Sequence, residues 1–304
     1  MLQVRTILFP TDYSACAEAA LTHAGRFANA LGAQLHIVHV HETPEAHEED
    51  FVLLETASGT PLDGVGTIEM TVRWPSAKEA ILRYAKVHDI DLIVMGTHGR
   101  HGLNVLMGSV AETVARHAPC PVLTVRPTAK ARLHRTVHRI LAPVDLSARS
   151  RVGLKYAFSI ARLFEAQVKV VHIVDHLPVP AGEVFDVPPM YPAYILDSVR
   201  QVARTMVEDV AQGYPAEIDL VIGHVPTELL AHADAYEADL VVMSSHGRTG
   251  LPRFLLGSVA EKLMRHTACP VFTVKSFGKD LLAGPVRSEG SVDERHVLEG
   301  CMAG

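Results

Sequence analysis

Asp91-Leu-Ile-Val-Met-Gly-Thr-His-Gly-Arg100 returns as Asp239-Leu-Val-Val-Met-Ser-Ser-His-Gly-Arg248. In each copy an apolar run without alternation marks a central strand covered on both faces. A polar, glycine-bearing loop follows. Each loop leads to Gly-Ser-Val-Ala-Glu (Gly108–Glu112, Gly257–Glu261), and each copy closes on Cys-Pro-Val (Cys120–Val122, Cys269–Val271). Further out, Ile7-Leu-Phe-Pro-Thr-Asp12 matches Ile140-Leu-Ala-Pro-Val-Asp145, and Leu35–Val40 matches Val168–Ile173, at a constant shift of 133 residues. At Asp91 and Asp239 the shift is 148, so the second copy has gained 15 residues between Ile173 and Glu217, an interval that holds the proline-rich Pro178–Pro192. A period of this length is a domain, not a solenoid repeat. A chain of 304 residues accommodates two domains: 1–126 and 137–275, joined by a basic linker at 127–136. The extension 276–304, rich in Gly, Ser and charge, is expected to be mobile. Leu281, Leu282, Val297 and Leu298 are the residues through which it would dock as an arm.

Strand and helix patterns alternate. Val4–Phe9 is a β-rich run ended by Pro10. Ser14 caps apolar residues at helical spacing from Ala17 to Leu31, and Gly32 ends that helix. Strands are predicted at Leu35–Val40, Thr67–Val72, Leu92–Met95 and Val122–Val125, and helices at Glu48–Thr56, Ser76–Val87 and Ser109–His117. The second copy repeats the order, with a longer helix at Leu196–Gln212. This alternation means a parallel sheet with right-handed crossovers. The fold class is therefore α/β: two tandem, doubly wound, five-stranded parallel-sheet domains of Rossmann-like type. Ligands of such sheets sit beyond the strand C-termini where the strand order reverses, at Pro10-Thr11-Asp12 and Gly96–Ser109 and their second-copy counterparts.

Composition narrows the function. Apolar residues make up 48% and charged residues 20% of the chain, enough to fill two cores. A net charge of −6 argues against nucleic-acid binding. No apolar run reaches the roughly 20 residues of a membrane span, and the N-terminal residues lack a signal-peptide pattern. Cys16, Cys120, Cys269 and Cys301 form no C-x-x-C pair, which fits reduced thiols in a cytoplasm. Cys120 and Cys269 read as core thiols and Trp74 as packing. His39 and His41 share a strand face opposite His36, and neither they nor His134 and His138 complete a metal site by spacing.

The loops carry the chemistry. Gly96-Thr-His-Gly99 and then Gly108-Ser109 let the backbone approach an anion, and the free N–H groups of the following helix start favour one. Arg100 can offset phosphate charge, and Asp12 would accept from a base amino group or a ribose hydroxyl. Asp12 and Asp145 could equally cap the next helix, in competition with Ser14 and Ser147. His98 and His246 read as structural hydrogen-bonding groups. There is no Walker sequence.

Together these motifs resemble the universal stress protein family in tandem form, over residues 3–126 and 137–275. The resemblance implies a cytoplasmic stress-response regulator that binds ATP or a related adenine nucleotide, with the halves packed as an intrachain pseudo-dimer through their closing strands and a further face for homodimerisation. It implies a site in the second half at Pro143, Val144, Asp145, Ile173, Met243, Ser244, His246, Gly247, Arg248, Gly257, Ser258 and Val259. The first-half equivalent is Pro10, Thr11, Asp12, Val40, Gly96, His98, Gly99, Arg100, Gly108, Ser109 and Val110. The family's ATP-binding pattern is G-x-x-G, nine residues, then G-[ST]. The first half keeps both early glycines but has eight residues between Gly99 and Gly108; the second has nine, but Ser244 replaces the first glycine. A lost residue moves the chain by up to about 3.5 Å and would misplace Gly108-Ser109 unless the loop tightens, so the second site, which also has Arg253 in its arm, is expected to be the tighter. The rival readings are an interaction module with decayed sites and, last, a slow ATP hydrolase.

Overall fold

The computed structural model describes residues 2–42, 53–57, 65–98, 107–126, 136–175, 193–247, 256–275 and 278–282. The linker 127–135, Pro178–Pro192, Gly99, Arg100, Arg248, Arg253 and everything beyond Leu282 lie outside them. The first half runs β1 (Thr6–Thr11), α1 (Ala15–Leu31), β2 (Gln34–Glu42), β3 (Leu53–Ala57), β4 (Thr67–Trp74), α2 (Ala77–Val87), β5 (Leu92–Gly96), α3 (Ser109–His117) and β6 (Val122–Val125). The second runs β7 (Arg139–Val144), α4 (Ala148–Phe164), β8 (Gln167–Val174), α5 (Ala193–Ala211), β9 (Ala216–Ile222), α6 (Val225–Ala235), β10 (Leu240–Ser244), α7 (Ser258–His266) and β11 (Val271–Val274).

All eleven strands form one sheet, in the order β3-β4-β2-β1-β5-β6-β11-β10-β7-β8-β9. Within each half five strands are parallel, and the order reverses between β1 and β5 and between β7 and β10. The halves join where β6 and β11 pair antiparallel, Leu123 opposite Phe272. Two threonines repeat the bond from both sides: Thr124 Oγ1 donates to Val271 O (3.3 Å) and Thr273 Oγ1 to Val122 O (3.1 Å). One apolar layer, under α1, α4 and α5, includes residues of both halves, with Phe27 against Phe164 and Phe272. The opposite layer, under α2, α3, α6 and α7, does the same. Arg265 of α7 reaches across to Glu112 of α3.

The repeated aspartate of the motif serves the fold. Asp91 Oδ2 accepts from the backbone N–H groups of Arg5 and Thr6, and Asp239 Oδ2 from those of His138 and Arg139. Each carboxylate thereby pins the N-terminal end of the neighbouring first strand, remote from the crevice.

Three expectations need correction. The stretch read as a helix at Glu48–Thr56 contributes a strand, β3, antiparallel to β4, which adds an edge strand to the five parallel ones among the described residues of the first half. In the second half α5 covers Ala216 and Ile218 of β9. Their register equivalents on β4 are Thr67 and Glu69, polar side chains that need no helix above them. Pro10 does not end its strand: β1 leaves β5 after Leu8, while Pro10 stays in register with Val38 of β2. A residue without an N–H loses least where one neighbour has departed. The extension, read as mobile, is docked over 278–282. Leu281 is buried, its O accepting from Gln3 N and its N donating to the Tyr156 hydroxyl, and Lys279 pairs with Asp89 (2.7 Å) and Asp91 (2.5 Å). Five residues thus tie both halves together.

Buried His23 on α1 gives the fold an acid-sensitive element. Burial, then Arg26, lowers its pKa from 6.5 to about 4. Between those values the unfolded chain binds a proton that the folded chain refuses, so this contribution to stability is full above pH 6.5 and is lost as the pH falls toward 4. At about 1.4 kcal/mol per unit the loss is about 3 kcal/mol. Urea unfolding of the wild type and His23→Gln across this range is expected to show the shallower acid slope in the variant; equal slopes would remove His23 from the account.

Candidate functional site

Each crevice begins where two strands part. β7 pairs with β10 only through Ile140 and Leu141, as β1 pairs with β5 only through Ile7 and Leu8. Beyond the fork the first strand ends in Pro143-Val144-Asp145 or Pro10-Thr11-Asp12. The next residue, Leu146 or Tyr13, is left-handed at φ 64 or 61. Non-glycine residues rarely adopt this conformation, and its recurrence at both forks marks a turn fixed by its surroundings.

The aspartates do not cap the helices. Ser14 Oγ accepts from Ala17 N, and Ser147 Oγ from Ser150 N. Asp12 Oδ1 accepts from Ser14 N, and Asp145 Oδ1 from both Ser147 N and Ser147 Oγ. In the second half this Asx turn leaves Asp145 Oδ2 against Gly247 of the motif loop. A histidine missed as a site element stabilises each strand end from the neighbouring strand: His39 Nδ1 donates to Thr11 O and His172 Nδ1 to Val144 O, both at 2.8 Å. Its signal was the constant spacing of the two histidines in the repeat. Val40 and Ile173, one residue on, pack against the apolar layer on the α2–α6 side.

The opposite wall is the motif loop. Met243 and Ser244 end β10 in buried positions, and β5 ends in buried Met95 and half-buried Gly96. His246 Nδ1 bonds Ser245 Oγ (2.9 Å) and His98 Nδ1 bonds Thr97 Oγ1 (2.7 Å), the structural role expected of them. Burial, then Arg126, lowers the His98 pKa. Its buried Nε2 has no hydrogen-bond partner among the described residues. Gly247 lies against Asp145: a Cβ there would stand 2.5 Å from Asp145 Oδ2.

Past the loop, Gly257 and Gly108 are the N-cap residues of α7 and α3, with no side-chain cap bond. The first-turn N–H groups of each helix, at Ser258-Val259 and Ser109-Val110, therefore keep donors for an anion. The expected misplacement of Gly108 is absent. Gly108 N donates to Thr97 O at 2.8 Å, and Gly257 N to Ser245 O at 2.8 Å. Both loops close on the same bond.

A scan against family models matches the universal stress protein family at residues 3–126 and again at 136–275. The chain belongs to the universal stress protein family. It is 27% identical over 296 residues to a universal stress protein of Mycolicibacterium smegmatis, covering 88% of this chain and 96% of that one. A Methanocaldococcus jannaschii universal stress protein is 33% identical over 147 residues, 47% of this chain and 84% of its own. Among solved structures, a universal stress protein of Archaeoglobus fulgidus superposes with a TM-score of 0.65 at 16% identity, over 90% of this chain and 99% of that one.

Within this universal stress protein fold, the two halves place their close helix–strand contacts differently. In the first half the glycine is on the strand: a Cβ at Gly96 would meet Cys16 Sγ at 2.8 Å. In the second it is on the helix: a Cβ at Gly153 of α4 would stand 2.6 Å from Ser244 N. Ser244 has no positive φ, and its hydroxyl donates to His246 O (2.7 Å), folding back onto its own loop. Gly153→Ala gains about 1 kcal/mol of helix propensity but forces Cβ into strand backbone. A net loss of about 1–2 kcal/mol is expected, read as a lower urea midpoint; an unchanged or higher midpoint would show that the contact relaxes freely.

Proposed function

We propose that this universal stress protein is a cytoplasmic regulator that binds ATP or a related adenine nucleotide, with the second half as the tighter site. One observation carries the reading: beyond the β7–β10 fork, the Asp145 carboxylate, the Gly247 backbone and the uncapped first turn of α7 converge. The carboxylate suits a base or ribose donor, and the helix start suits phosphates. That no helix among the described residues is long and apolar enough to cross a membrane is compatible with this placement. Occupancy would change the protein's partners through the loops that rim the crevice. The fold-back of the Ser244 hydroxyl onto His246 O supports the ranking, since the serine then leaves the crevice loop in place. Dimerisation of the whole chain through another face belongs to the same proposal.

The rival reading is a nucleotide-independent interaction module. It draws on Asp12 and Asp145 being already bonded to the next turn. Slow hydrolysis of ATP is a third reading, addressed by a turnover assay with a Ser258→Ala control. Calorimetric titration with ATP separates the first two. The Gly257→Val/Ser258→Ala protein is expected to lose at least about tenfold in affinity, since the valine collides with Ser245 O and a phosphate hydrogen bond is removed. Gly108→Val is expected to cost less than about threefold. Loss of binding in Gly108→Val with retention in the double variant reverses the ranking, and a wild type that binds nothing favours the interaction module.

A further inference from the structure

The two crevices differ most sharply at a position that no motif includes. Two residues after the N-cap serine, the first half has Cys16 and the second Arg149. Cys16 is buried, and its Sγ donates to Val125 O. Arg149 is half-buried, and its Nη1 donates to Gly247 O at 3.1 Å. That carbonyl belongs to the glycine lying against Asp145. A guanidinium has five N–H donors, and no other bond or ion pair of Arg149 occurs among the described residues. A cation whose remaining donors meet no described residue is thus fixed by its own hydrogen bond at the motif loop of the second crevice.

We infer that Arg149 is a specificity-determining residue of the second site, making it discriminate nucleotides by phosphate charge: a triphosphate over the monophosphate of the same nucleoside. The claim rests on the adenine-nucleotide reading of that crevice and adds the ligand class it selects. One N–H on Gly247 O orients the guanidinium plane, and the remaining donors meet terminal phosphate oxygens. Bidentate, charge-assisted bonds of this kind gain with each added anionic oxygen, whereas a monophosphate held at the helix start does not extend to them. The first crevice has a neutral thiol at this place, and its nearby cation, Arg126, comes from the residue after β6 instead.

A purely structural tether would also use the bond to Gly247 O, so the test separates charge from tether. ATP and AMP are titrated separately into the wild type, Arg149→Gln and Arg149→Lys, each first shown to unfold at the wild-type urea midpoint. Glutamine keeps a donor for Gly247 O without charge; lysine keeps charge without the fork. Arg149→Gln is expected to lose about tenfold for ATP and less than about twofold for AMP, and Arg149→Lys to recover at least part of the ATP affinity. Equal losses for ATP and AMP, or no loss for either, overturn the role of Arg149 while leaving the nucleotide reading standing. A wild type that binds neither ligand overturns both. A variant that fails to match the wild-type midpoint assigns the residue to the tether and counts against the proposal.

Discussion

The antiparallel pairing of β6 with β11 is the contact on which the rest of the molecule depends. Each is the last strand of its half, an edge that would otherwise present unpaired N–H and C=O groups. Joining them satisfies both edges at once, with Thr124 and Thr273 each reaching the opposite backbone. It also makes the apolar layers on the two sheet faces continuous, so Phe272 of the second half packs against Phe27 of the first. The segment 278–282 strengthens the same junction, and Lys275 Nζ crosses it to Ala118 O (2.7 Å). Burial of that lysine disfavours its charged form and brings its pKa down to about 8.

With the scaffold fixed by that junction, the crevices are free to diverge. Both keep the strand fork, the left-handed residue after aspartate, the histidine pinned to the strand-end carbonyl and the glycine N-cap. They differ in side chains around this frame: Cys16 or Arg149, Gly96 or Ser244. Ser244 stands where the first half has Gly96, and Gly153 of the facing helix lies against the backbone of Met243 and Ser244. The added hydroxyl of Ser244 is taken up within its own loop, by His246 O. The same logic explains the outer edges. Where α5 covers β9 the strand is apolar on that face, and where the first half has β3 instead, β4 carries Thr67, Glu69 and Thr71.

Much of this was legible in the chain because the sequence states it twice. The unbroken runs Leu92–Met95 and Leu240–Met243 placed the central strands, and constant spacing placed the forks. Leu53–Ala57 was not legible as a strand: five residues with a helix-compatible composition take their conformation from pairing with β4, a long-range partner. The position of Gly108 was misjudged because loop length was treated as reach, whereas the closing bond to Thr97 O fixes the end point whatever the length between. Arg149 escaped notice because it lies in a helix's first turn, where a cation ordinarily reads as surface; only its bond to Gly247 O connects it to the loop.

The central claim is that one duplicated fold holds two unequal crevices, the second of which is the tighter adenine-nucleotide site. Native mass spectrometry of the whole chain under ATP titration counts ligands per molecule directly. The account predicts that a one-ATP species dominates over a wide range of ATP before any two-ATP species accumulates. A chain that stays unliganded throughout, or one whose single and double occupancies follow the statistics of two equal sites, would contradict it.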